Sequence, residues 1–358
     1  MPKFPIHFSQ GRLRTYLAVA YALFIVYASL SPFSGWRTPS SVFSDVLTEP
    51  LLLQYTWLDV ATNLCAYLPF GLLLALALRA RFDATWTVIF TALAGAVLST
   101  SMEYVQMYLP TRISSNLDIL TNSSGTALGA LLAVGIAPQV WFTLHLMQWR
   151  YRMFHGGSMM DFGLALVVLW MFAQINPSLP MLNSVFISTV AHAPLATVQM
   201  KPFIWMESVA VALNLLMLGL LLLTLLRKHQ HAVSTLMAML CLVALVKFGA
   251  AAILLKSWAL LLWLNSEAVL GIFIGILLLI AATRLSRSVL LWCAAIVTLT
   301  YLVLAHWILD SSMPATTRRM YQWDYGHLLN YNDLSQFVAF IFPLVMLGYL
   351  WRIKNNPT

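Results

Sequence analysis

Ten runs of about twenty predominantly apolar residues follow one another along this chain, and they constrain it more than any short motif does. A hydrocarbon layer about 30 Å thick needs roughly 20 apolar residues per helix, and any backbone inside it must satisfy its own polar groups. The windows fall at about 15–33, 57–78, 85–107, 117–136, 161–179, 203–226, 233–254, 258–282, 288–308 and 335–351. Composition agrees, since 61% of the 358 residues are hydrophobic and 9% charged, against about 25% charged in a soluble domain. The expected fold class is all-α, a polytopic membrane protein with about ten transmembrane helices.

Twenty Lys and Arg against twelve Asp and Glu give a formal net charge of +8, which in a soluble protein would suggest nucleic acid. Here the cations report topology. With a cytoplasmic N-terminus, each loop after an even-numbered helix lies inside and carries an Arg: Arg79 and Arg81, Arg150 and Arg152, Arg227, Arg284 and Arg287, then Arg352 after the last span. That is the positive-inside pattern. It predicts a multi-pass membrane protein with both termini cytoplasmic and no nucleic-acid partner. The first apolar run continues unbroken to about residue 33 and reads as a retained helix. Cys65, Cys241 and Cys293 fall within spans at spacings unlike a metal framework, so they are expected to be buried apolar fillers. No cofactor and no metal are expected.

Organisation along the chain is coarse. Residues 1–137 form a four-helix membrane module, 138–160 a cytoplasmic linker and 161–358 a six-helix module. In the linker Val140, Leu144, Met147, Tyr151 and Phe154 share one helical stripe, with His145, Arg152 and His155 on the other side, as in an amphipathic helix lying on a membrane. An ordinary linker covered by neighbouring helices accounts for it equally well.

The first module places polar side chains where its helices begin and end. Asp59 and Asp118 open the second and fourth spans, and Asn63 and Asn122 follow at i+4, on the same faces and about 6 Å further in. Glu103 and Gln106 approach from the third span, and Arg112 is the one cation in the connection that follows. A carboxylate inside a span costs about 2.5–3.5 kcal/mol, so Glu103 requires a partner, for which Arg112 is the candidate. Helix caps, an ion pair and interhelical asparagines would explain the same residues structurally. Gly125 and Gly129, four apart, would let the fourth span pack closely on a neighbour.

The ordered set Asp59-x-x-x-Asn63, Tyr67-Leu68-Pro69-Phe70-Gly71, Ser101-x-Glu103-x-x-Gln106, Leu109-Pro110-x-Arg112 and Asp118-x-x-x-Asn122 with Gly125 and Gly129 resembles the VanZ-like family of bacterial membrane proteins. The preceding YASLSPF fits the end of that family's first helix, so the resemblance covers about residues 16–136. Ser123-Ser124 is a more polar entry than the family's usual helix. The resemblance implies a link to resistance against teicoplanin-type glycopeptides, which act at the outer leaflet, and it carries over Asp59, Asn63, Glu103, Gln106, Arg112, Asp118 and Asn122 without assigning them roles.

Two readings of the site follow. In the first it is a substrate-binding pocket at the outer leaflet that binds or moves an anionic membrane lipid or lipid-linked cell-envelope precursor, with Arg112 matching phosphate or carboxylate. In the alternative it is a membrane-embedded enzyme in which Glu103 and an aspartate do acid/base chemistry on a headgroup. The motif region, about residues 16–136, has no nucleophile arrangement and no histidine, which disfavours the enzyme. In the second module Lys247 and Glu267 are expected at matching depth as an intramembrane pair, and Glu207 as part of a capped helix start. Asp324 and His327 share a helix face, and Tyr321, Trp323 and Tyr325 read as interfacial aromatics.

Overall fold

The computed structural model describes residues 12–31, 33–50, 57–136, 148–183, 203–309, 320–321 and 326–355. Helices are the regular elements of those residues, accompanied by two isolated bridges, Phe154 to Leu226 and Leu255 to Tyr321. Eight helices are long and apolar enough to cross a membrane, and two further apolar helices are shorter. The chain is an all-α polytopic membrane protein. It divides into two compact units, Met1–Tyr151 and Arg152–Thr358.

The first unit contains α1 (Leu13–Leu30), the short α2 (Phe43–Thr48), α3 (Trp57–Leu78), α4 (Ala84–Gln106) and α5 (Asn116–Ile136). Asp83 caps α4, its carboxylate accepting from the Trp86 N–H at 2.9 Å. The tightest pairing is between α3 and α5, and small residues make it possible. A side chain at Gly125 would overlap the Leu64 carbonyl, one at Gly129 the Leu68 carbonyl, and one at Gly71 the Thr126 carbonyl. The backbones touch, as the spacing of Gly125 and Gly129 predicts. α1 lies against α3 and α4, with the Tyr21 hydroxyl donating to the Ala66 carbonyl of α3 at 2.9 Å. Ile25, Leu30, Tyr67, Phe70, Met102 and Leu109 form a buried apolar cluster near one end of the unit.

The second unit contains α6 (Ser158–Ala173), α7 (Trp205–Leu225), α8 (Ala232–Leu254), α9 (Ser266–Ala282), α10 (Arg287–Val303) and α11 (Gly326–Asn355). α7 is its axis: 83% of its span is buried, whereas no other span exceeds 44%. α9 packs on it through Gly271 and Gly275, whose missing side chains leave room for Val211 and Leu215. α10 ends in one wider turn, Leu304–Ile308. There His306 meets the Phe340 ring edge-on at 4.9 Å.

Several expectations need correction. The window 161–179 does not continue as helix: α6 stops at Ala173, because Pro177 and Pro180 cannot donate to a helical ladder. The window 258–282 begins later, at Ser266, where the Asn265 side chain accepts from the Ala268 N–H at 3.0 Å and starts α9. The cysteines are not buried: Cys65 and Cys241 are exposed and Cys293 is half-exposed. A thiol is apolar enough to lie on a lipid-facing surface. Phe154, expected on a membrane-facing stripe, is 3% exposed and pairs with Leu226. The rest of that stripe up to Met147, and the side chains of Trp323, Asp324, Tyr325 and His327, lie outside the described residues. Lys247 and Glu267 do not pair. Lys247 Nζ donates to the Gln174 and Asn176 carbonyls, while Glu267 accepts from the Ile204 N–H and the Ser266 hydroxyl. Glu207 is buried rather than a surface cap, and it accepts from Asn183 Nδ2 at 3.1 Å.

A polar column in the first unit

Three helices each contribute a stripe of polar residues at i, i+4 spacing. From the start of α3 run Asp59, Asn63 and Tyr67, from the start of α5 Asp118 and Asn122, and back from the end of α4 Glu103 and Ser99. Because α3 and α5 start at the same end of the unit and α4 finishes there, the stripes face one another. Asn63 Nδ2 donates to Asp118 Oδ1 at 2.8 Å, joining α3 to α5. One turn deeper, Asn122 Nδ2 donates to Ser99 Oγ at 3.0 Å, joining α5 to α4. Asp59 is half-buried and within electrostatic reach of Asp118.

Glu103 is 3% exposed, and its carboxylate accepts from the Ser115 N–H at 2.9 Å. The Ser114 hydroxyl donates to the Glu103 carbonyl at 2.7 Å, so the connection before α5 folds back over the end of α4. Above it, Arg112 Nη2 donates to the Ala28 carbonyl at 2.8 Å and the Ser31 carbonyl at 3.1 Å. Gln106 Nε2 donates to the Ser29 carbonyl at 2.9 Å. These carbonyls belong to the last turn of α1, which no longer has helical donors of its own. Burial pushes the Arg112 guanidinium below its ordinary value, and the neighbouring Glu103 charge acts in the opposite direction.

Two buried polar atoms stand out at the foot of the column. The Tyr67 hydroxyl lies beside the Ser99 and Ser29 side chains without a well-aligned bond to either, and Asn122 Oδ1 has no hydrogen-bond partner among the described residues. Tyr67 is 5% exposed and lies beside Ser99, within reach of the Glu103 and Asp118 charges.

The seven residues singled out in the sequence thus fall into two linked groups. Asp59, Asn63, Asp118 and Asn122 belong to the α3–α5 face, while Glu103, Gln106 and Arg112 surround the end of α4 and brace α1. Ser99, Ser115 and the α1 carbonyls were missed. Ser99 had a signal, four residues before Glu103 on the same face; the carbonyls had none in any side-chain pattern. Tyr67 stood in the motif without being read as a site residue.

Residues 9–141 match the family described as VanZ/LLP1. No curated protein and no solved structure matches the chain. The matched segment contains every helix of the column, so residues 9–141 are VanZ-like.

Proposed function

We propose that the first unit lies in a bacterial inner membrane with the column at its extracytoplasmic boundary, where it binds or moves the headgroup of an anionic lipid or lipid-linked cell-envelope precursor. One observation supports this reading: three helices and the connection before α5 converge on one buried polar column, with Asp59, Asn63, Asp118, Asn122, Ser99 and Glu103 on facing stripes. Asp118 and Glu103 have donors within the protein, Asn63 and Ser115. Half-buried Arg112 supplies positive charge at the mouth, and its planar fork suits a phosphate or carboxylate. Tyr67 Oη and Asn122 Oδ1 suit hydroxyl or amine groups of the same headgroup. A role in teicoplanin-type resistance fits such a site, because that class of antibiotic acts on precursors at the outer leaflet.

The test is mass spectrometry of lipid that co-purifies with the full chain. The parent protein should retain an anionic lipid or precursor, and Arg112→Ala and Tyr67→Phe should retain less of it while remaining folded. Equal retention by parent and folded Arg112→Ala would sink the reading.

A further inference from the structure

The second unit holds a charged side chain in a setting that the first unit's function does not use. α6 ends at Ala173, and Gln174–Asn183 continues as non-helical chain, buried at every position except half-buried Ile175. Irregular backbone at membrane depth persists only where protein or water satisfies it. Here each contact comes from a different element. The Met181 N–H donates to the Trp263 carbonyl at 2.8 Å, and Asn214 Nδ2 from α7 donates to the Leu182 carbonyl at 2.9 Å. Trp170 Nε1 on α6 donates to Asn214 Oδ1 at 2.8 Å, and Asn176 Nδ2 donates to Ser335 Oγ on α11 at 2.8 Å. Leu182 has a φ of 65°, a left-handed conformation that a leucine adopts only where its surroundings impose it.

Lys247 of α8 completes the arrangement. It is 0% exposed, and Nζ donates to the Gln174 carbonyl at 2.9 Å and the Asn176 carbonyl at 2.6 Å. Its ammonium therefore sits at the negative end of the α6 dipole, on carbonyls beyond the last helical turn, of which that of Asn176 also accepts from the Leu179 N–H. Lys247 lies 15 residues into α8 and Ala173 the same number into α6, each about 22 Å from its helix start. The acidic groups on elements packed with α8 are engaged elsewhere: Glu207 of α7 with Asn183, and Glu267 of α9 with the Ile204 N–H and Ser266. His229 and His231 stand at the opposite end of α8 from Lys247. A neutral amide could satisfy both carbonyls without burying charge. What lysine adds is a proton it can release, which is how ionisable groups within membranes commonly serve.

We propose that Lys247 and the break Gln174–Asn183 form a proton-binding site in which two charge-assisted bonds from the ammonium hold the break closed, and loss of its proton leaves only weaker neutral N–H bonds and loosens the segment. The proton passes between Lys247 Nζ and water that enters when the segment opens, so no other reactant is needed. Through Asn214, Trp170 and Ser335 the loosening would be felt by α6, α7 and α11.

Hydrogen exchange of the 174–183 peptide in the full chain, followed across pH and corrected for intrinsic chemistry, tests this directly. If one proton must leave before opening, protection should fall about tenfold per pH unit in the alkaline range for the parent protein. Lys247→Arg, which keeps a permanent charge, should be protected and flat with pH; Lys247→Met should be unprotected and flat. Parent protection that is flat across the range, or Lys247→Arg showing the parent's slope, overturns the proposal. So does Lys247→Met with parent-like protection, and if that variant does not fold, the arginine comparison decides alone.

Discussion

Arg112 connects two segments that the chain keeps far apart, because Nη2 reaches two carbonyls of one helical turn, Ala28 and Ser31. Hydrogen bonds to a charged group contribute about 1.5–3 kcal/mol, so Arg112→Ala should lower unfolding stability in detergent by about that amount. Arg112→Lys should recover only part of it, since a compact ammonium lacks the planar fork. At Glu103 the comparison is between acceptors. Glu103→Gln still offers an oxygen to the Ser115 N–H, whereas Glu103→Leu leaves that donor orphaned at a cost of about 1–3 kcal/mol. The glutamine variant should therefore unfold later than the leucine variant in the same assay. Tyr67→Phe removes a hydroxyl that has only poorly aligned neighbours, Ser99 and Ser29, and should leave the unfolding midpoint unchanged or nearly so. A clear drop in the midpoint would mean the hydroxyl is part of the scaffold.

Between elements, the decisive contact is backbone on backbone. Gly125→Ala and Gly129→Ala place a methyl against the Leu64 and Leu68 carbonyls and should destabilise the first unit by about 1–3 kcal/mol through forced separation of α3 and α5. Gly135, on the same helix, has nothing near it, so Gly135→Ala should be neutral or stabilising by up to about 1 kcal/mol. Thermal unfolding of the three variants side by side checks both statements. Much of this was legible beforehand. Apolar runs separated by cations located the helices, and i, i+4 polar pairs located Asn63, Asp118 and Asn122 on facing stripes. What could not be read were contacts to main-chain groups, because a carbonyl carries no residue-specific mark. Glu103 and Arg112 suggested each other as opposite charges, and Lys247 and Glu267 likewise. In the structure the bonds described for Glu103 and Arg112 go to backbone groups, as do both bonds of Lys247. The break after α6 was partly visible in its two prolines, but its burial depended on side chains more than 30 positions away, such as Asn214.

At the scale of the whole molecule, the proposed orientation places the connections after Arg81, Arg150 and Arg284 and the C-terminal end on the cytoplasmic side, with Arg37 and Lys256 outside. Reporter fusions at those positions should alternate accordingly, with fluorescent protein active at the first group and alkaline phosphatase at the second. Phosphatase activity after Arg81 would reverse the map. The two shorter apolar helices carry a further consequence for the lipid around the second unit. α9 has 17 residues, which is about 26 Å of helix, against about 30 Å of hydrocarbon. Phe273, Leu277 and Ile280 on α9 are exposed. Acyl chains beside that surface must compress by a few ångströms to keep its ends wet, so this protein should favour thin bilayers and dimple thick ones wherever α9 meets lipid.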